Sequence, residues 1–109
     1  MSYNGYTNYE TWAVALWIDN DEGLYDERNR LVSQAWQDAQ ADSVFTRSES
    51  ARYALADTIK DWVTDEMMPD LGAQLAADLL SAALSEVNWT ELVDTWLADD
   101  EDGYERMPE

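Results

Sequence analysis

Residues 7–17, TNYETWAVALW, carry the densest apolar pattern in the chain. Tyr9, Trp12, Ala13, Leu16 and Trp17 fall at i, i+3, i+4, i+7 and i+8, which predicts one apolar stripe of a helix over residues 8–18. Thr7, with Glu10 three residues on, reads as the capping box that starts it. Two indoles are a heavy apolar load for so short a segment, so this is the expected core helix. Asp19-Asn20-Asp21 breaks the pattern, and a second helix is expected from Glu22 to about residue 41, with Leu24, Leu31, Val32, Ala35, Trp36 and Ala39 at helical spacing. Asp26 and Arg30 form an i,i+4 acid–base pair on it. Residues 41–50 read as a loop. Thr46 and Glu49 make a second capping box and open a third helix, whose stripe is Ala51, Leu55, Ile59, Trp62, Val63 and Met67 and which Pro69 stops. A fourth helix, starting near Leu71, carries Leu75, Ala76, Leu79, Leu80, Ala83, Leu84 and Val87 and is the expected packing partner of the first and third. Asn88 with Glu91 is a third capping box, opening a fifth helix with Trp89, Leu92, Val93, Trp96 and Leu97 on one stripe.

No segment alternates with period two over a useful length, so no strand is expected. The fold class is all-α, a compact bundle of four or five helices joined by short loops. Residues 1–98 are read as one acidic helical domain and residues 99–109 as an acidic, mobile tail without periodicity. Asn4-Gly5 signals a turn before the first helix.

Charge changes the picture more than length does. Twenty-four acidic against six basic residues leave a formal net charge of −18, yet 46% of residues are hydrophobic and six are Trp. Disorder needs low hydrophobicity as well as high charge, so this is a folded domain with a very negative surface. Such a surface repels nucleic acid and anionic membranes and attracts cationic partners. The chain has no Cys and no His, which removes the thiolate nucleophile, the zinc–thiolate site and the commonest general base. No apolar run approaches a membrane span and residues 1–10 do not read as a signal peptide, so a cytoplasmic location, the cytoplasm of a host cell, is expected.

Asp57, Asp61 and Asp65 stand four residues apart on the third helix. Four helical residues rise roughly 6 Å, and a DNA strand advances about 3.4 Å per phosphate, so the carboxylate row has a pitch of the same order as a row of phosphates. Asp19, Asp21, Glu22, Asp26 and Glu27 form a second acidic group and Asp99 to Asp102 a third. The functional reading is nucleic-acid mimicry. The plain alternatives are a solvated acidic face and salt adaptation, which the single Lys, Lys60, against five Arg also fits. Residues 19–27 resemble a calcium loop only superficially, because placing Gly23 at position six puts Ile18 at position one and Asn29 at position twelve. No metal site, no cofactor and no enzymatic activity is expected. All six Trp sit on apolar stripes and are read as core. Tyr3, Tyr6, Tyr25 and Tyr104, and the Met67-Met68-Pro69 edge, are candidate contact residues.

Asn8-Tyr9-Glu10-Thr11-Trp12, followed by Leu16-Trp17 and Asn20-Asp21-Glu22, resembles a family of small NYETW-motif proteins of phage, plasmids and their bacterial and archaeal hosts. Asn88-Trp89 with Glu91-Leu92 is similar to that family's C-terminal signature, and the resemblance runs over residues 5–93. It brings no catalytic residues. It implies a mobile-element context, in which small acidic proteins often inhibit host defence as DNA-mimic anti-restriction or anti-CRISPR proteins. Tyr9, Trp12 and Trp17 are placed on the buried stripe, so the motif is expected to define the fold.

These strands combine into one expectation: an acidic inhibitor that occupies the DNA- or RNA-binding groove of a basic host protein or complex, with no direct binding of nucleic acid or membrane. Asp57, Asp61 and Asp65 lead the contact, supported by Asp19, Asp21, Glu22, Asp26 and Glu27. The alternative is a protein–protein interaction module that binds through Tyr and Met contacts, its acidity serving solubility or salt adaptation. A third reading, a hydrolase using carboxylate-bound metal, requires divalent-ion-dependent turnover.

Overall fold

In a computed structural model, which describes residues 4–69, 72 and 74–99, the described residues are mainly helical with no strand. The helices are α1 (Tyr9–Asn20), α2 (Glu22–Asp38), α3 (Arg47–Asp61), α4 (Leu75–Ser85) and α5 (Trp89–Asp99), and a π-helical turn, Trp62–Met67, prolongs α3 to the residue before Met68-Pro69. The all-α expectation holds. The expected tail lies outside the described residues from residue 100 on, as do Tyr3 and Tyr104.

Four of the helices close a ring. α3 packs against α2 on one side and α5 on the other, and α1 completes the circuit by packing on both α2 and α5. Inside the ring lie Ala15 and Ile18 of α1, Val32 and Trp36 of α2, Leu55 and Ile59 of α3, and Leu92, Val93 and Trp96 of α5. The stripes expected for the third and fifth helices are the ones buried: Ala51, Leu55, Ile59 and Val63 on one, Leu92, Val93, Trp96 and Leu97 on the other. The Thr46 capping box forms as read, with Glu49 N–H donating to Thr46 Oγ1 (3.1 Å) and Thr46 N–H donating to Glu49 Oε1 (3.0 Å).

The amino ends of α1 and α5 are joined by a polar clasp. Asn8, not Thr7, caps α1: its Oδ1 accepts from Thr11 N–H (2.9 Å) and from the Thr11 hydroxyl (2.6 Å). Its amide donates to the Glu86 carbonyl (2.6 Å). Thr11 Oγ1 in turn accepts from Asn88 N–H (2.9 Å), and Asn88 Oδ1 accepts from Glu91 N–H (3.2 Å). Neither the Thr7 box nor the full Asn88 box forms. Their missing partners found each other instead, since the Glu91 carboxylate accepts from Thr7 N–H (2.8 Å) and Thr7 Oγ1 (2.7 Å).

The clasp decides how α1 is turned. Thr11 is fully buried, and Ala15 and Ile18 follow it inward at helical spacing. The stripe expected to be buried is therefore the one that faces out: Tyr9 is 54% exposed, Leu16 41% and Trp17 72%. Trp17 is thus not a core residue. Of the other indoles, Trp36 and Trp96 are buried and Trp12, Trp62 and Trp89 half-buried.

Helix α4 also departs from expectation. None of its residues is buried, Leu75 and Leu79 are 75% and 62% exposed, and it makes no extensive contact with α1 or α3. The seats beside α3 are filled by α2 and α5, which bring Trp36 and Trp96 inward, so α4 is attached mainly through its carboxyl end, where Leu84 and then Val87 pack on the core. Met67 and Met68 pack on the core as well, rather than forming an open edge. Tyr6 is half-buried against the core, and burial pushes its phenol pKa up despite a hydrogen bond with Thr95.

The clasp predicts a stability effect. Thr11→Val keeps the shape but strands the part-buried Asn88 N–H, which should cost about 1–3 kcal/mol, whereas Thr11→Ser should cost less. Urea unfolding of the three proteins checks this, and a Val variant as stable as the parent would mean the clasp is incidental.

Candidate partner-binding surface

The eight carboxylates expected to meet a partner divide into two kinds. Asp57 and Asp61 stand exposed on the outer side of α3 and Asp65 on that of the π turn. A π turn holds more residues than an α turn, because its hydrogen bonds reach from i to i+5. The wider turn changes the angular step from Asp61 to Asp65 relative to a straight α-helix. Asp57 and Asp61 make no hydrogen bond or ion pair among the described residues, and Asp65 has only a long contact from the neighbouring Thr64 hydroxyl (3.4 Å). Lys60 is exposed within the same stretch, also without an ion pair among the described residues, and shares with Asp57 an open depression lined also by Asn8, Asn88 and Trp89 at the clasp.

The second group is half consumed by the fold. Asp19 accepts from the Arg28 guanidinium (2.8 Å). Asp21 caps α2 by accepting from Leu24 N–H (2.9 Å). Glu27 pairs with Arg30, and the hydrogen bond from that guanidinium holds its carboxyl below the usual range. The expected Asp26–Arg30 pair gives way to this i,i+3 pair, which leaves Asp26 exposed and, like Glu22, without a partner among the described residues. The first group projects from α3 and its π turn, and the second sits where α1 meets α2, the helix that packs on α3.

The described arginines are spent internally. Arg28 is buried, pinned by Asp19, bonded to Asn29, and stacked at 4.5 Å over the Tyr25 ring and 5.4 Å over Trp96. Arg52 forks onto Asp94 of α5 (2.6 and 3.1 Å), Arg30 is taken by Glu27, and Arg47 is engaged too. Asp42 accepts from Phe45 N–H and Val44 N–H, which lowers its pKa. Among the described residues no three carboxylates converge on a metal-sized site, and no described helix is long and apolar enough to cross a membrane.

One candidate surface escaped the sequence reading, the outward apolar stripe of α1. The signal was available, because Thr11, Ala15 and Ile18 repeat at helical spacing opposite Tyr9, Leu16 and Trp17, so α1 has two faces suited to burial.

The division into spent and unspent carboxylates is testable through stability alone. Asp57→Asn and Asp61→Asn should shift it by no more than about 0.5 kcal/mol, and upward, by easing self-repulsion. Asp21→Ala should cost about 1 kcal/mol through the lost cap. Thermal or urea melts that ranked the three alike would sink the division.

Comparison with known proteins adds one relationship. No curated protein and no solved structure matches the chain. A family of unknown function, DUF7249, matches residues 1–93, a span that includes both the Asn8–Trp12 motif and the Asn88–Leu92 stretch of the clasp. The chain therefore belongs to the DUF7249 family.

Proposed function

We propose that this protein is an acidic inhibitor from a mobile element that occupies the nucleic-acid groove of a basic host-defence protein, of the restriction or CRISPR type, by presenting carboxylates in place of phosphates. The observation that carries the reading is the exposed Asp57–Asp61–Asp65 row, which lacks an ion pair in a chain whose described arginines are all engaged elsewhere. A carboxylate without an internal cation has its full charge available to a partner's Lys and Arg. The remaining acids add long-range attraction that speeds encounter. The mobile-element setting rests on the resemblance of the Asn8–Trp12 motif, and the defence target on context and charge. Location in the host cytoplasm follows from the same proposal.

A second reading is favoured by a separate observation, the 72% exposure of Trp17. On it the protein is an interaction module held by apolar contact. Of its Tyr contacts, Tyr25 is exposed and Tyr6 half-buried, and Tyr9, expected in the core, is exposed as well, while Met67 and Met68 pack half-buried against the core.

The two readings separate in a capture experiment. Tagged protein is exposed to host lysate at low and high salt, with and without duplex DNA, and bound proteins are identified by mass spectrometry. Mimicry predicts a nucleic-acid-binding protein displaced by DNA, with binding falling roughly tenfold or more between low and high salt. The variant with Asp57→Lys, Asp61→Lys and Asp65→Lys should lose that partner while keeping its helical circular dichroism. Full-strength capture by the triple variant would remove this row from the interface.

A further inference from the structure

Helix α1 is apolar on two opposite sides, which a surface helix in a finished bundle is not. Its inner side is accounted for by Thr11, Ala15 and Ile18. Its outer side carries Tyr9, Ala13, Leu16 and Trp17 at i, i+4, i+7 and i+8, with Trp12 at the edge. Tyr9 and Trp12 stack edge to face with ring centroids 5.5 Å apart, so part of the strip is preorganised before any partner arrives. Single exposed apolar residues are ordinary, whereas a contiguous row of aromatic and aliphatic ones marks an interaction site. Trp and Tyr are also the residue types that most often dominate binding energy.

The charge around the strip says what would cover it. Residues 1–27 contain no Lys or Arg, and the first basic residue, Arg28, is buried against Asp19. Glu10 flanks the strip on α1, and Asp21 and Glu22 stand at its far end. The last turn of α1 has no basic residue of its own. A second copy of the chain would bring acid against acid at this rim, whereas a cationic partner would find every flank complementary.

The geometry points to the outer face of α1 as a docking strip for an amphipathic helix of a cationic protein, with Tyr9, Leu16 and Trp17 as apolar anchors and Glu10, Asp21 and Glu22 pairing with Lys or Arg beside the partner's apolar stripe. This rests on the reading that the partner is basic, and it adds where that partner is gripped. Two helices packed in this way lie about 8–10 Å apart, close enough for the Trp17 indole to enter the groove between the partner's side-chain ridges. The strip lies across the ring from the Asp57 row, so the two surfaces can be disabled separately.

The test uses the full chain and a synthetic Leu/Lys peptide about five helical turns long, patterned to be amphipathic. A second peptide has the same composition and charge but a shuffled order without an apolar face. Calorimetry and indole emission report binding. The amphipathic peptide should bind at least tenfold more tightly than the shuffled one and shift the emission to the blue. Trp17→Ala should lose tenfold or more, while Trp17→Phe should keep most of the affinity and lose most of the shift. Trp17 is largely exposed, so these variants should fold, which circular dichroism checks. Equal affinity for both peptides, or undiminished binding by Trp17→Ala, would overturn the strip. So would sedimentation showing that the free protein is already a dimer which Trp17→Ala dissolves, because the occupant would then be a second copy. The variant with Asp57→Lys, Asp61→Lys and Asp65→Lys should be affected less than Trp17→Ala in this assay. If it loses host capture but still binds the peptide, both proposals stand. If it keeps host capture, phosphate mimicry fails and the strip remains. If it loses the peptide as fully as Trp17→Ala does, the strip fails.

Discussion

The hydroxyl of Thr11 is the point on which the architecture turns. It donates to the Asn8 cap of α1 and accepts the Asn88 N–H at the start of α5, binding together two stretches 77 residues apart in the chain. Bringing two helix amino ends together juxtaposes two partial positive charges, which is unfavourable unless something negative lies between them. Asn8 and Asn88 each satisfy orphan donors of their own helix, and the Glu91 carboxylate lies in the first turn of α5 while gripping Thr7 just ahead of α1. The same carboxylate thus serves both helix ends. A fully buried hydroxyl that both donates and accepts tolerates no apolar replacement without leaving a backbone N–H unsatisfied.

The orientation of α1 follows from that bond. With Thr11 fixed inward, Ala15 and Ile18 must follow, and the larger side chains Leu16 and Trp17 are carried outward. Hydrophobicity alone would have turned the helix the other way, exposing Ala15 and burying an indole. The observed turn gives up apolar burial at Trp17 and secures a satisfied polar junction between α1, α5 and the chain leaving α4, through Glu86. Once α1, α2, α3 and α5 have closed their ring, no inner position is left for α4, and its leucines stay in solvent.

What the sequence disclosed and what it withheld divide along this line. The helices, the Thr46 cap and the buried stripes of α3 and α5 were legible, because each depends on residues within a turn or two of one another. The direction α1 faces was not, because its pattern is nearly symmetric and the deciding partner, Asn88, is remote in sequence. The Thr7–Glu10 and Asn88–Glu91 boxes were read as two local pairs; spatial proximity allowed Glu91 and Thr7 to exchange partners across the clasp. The acidic residues were all visible, but which of them are spent depends on where arginines arrive. Asp19 and Glu27 are claimed by Arg28 and Arg30, while the Asp57 row meets no arginine among the described residues.

The excess charge and the exposed aromatics are complementary rather than competing features. At physiological salt, exposed charges act over roughly 8 Å, so an acidic surface gathers cationic proteins without choosing finely among them. Choice requires contacts that work only at close fit, and on the proposed reading apolar anchors such as Trp17 and Leu16 would supply them. A chain that relied on carboxylates alone would bind many basic surfaces and lose them all as salt rose. One that relied on apolar anchors alone, without the charge, would be prone to self-association. The fold keeps these properties on separate helices. Carboxylates without internal cations line α3 and its π turn, and the apolar strip lies on α1, where the clasp holds its large side chains toward solvent.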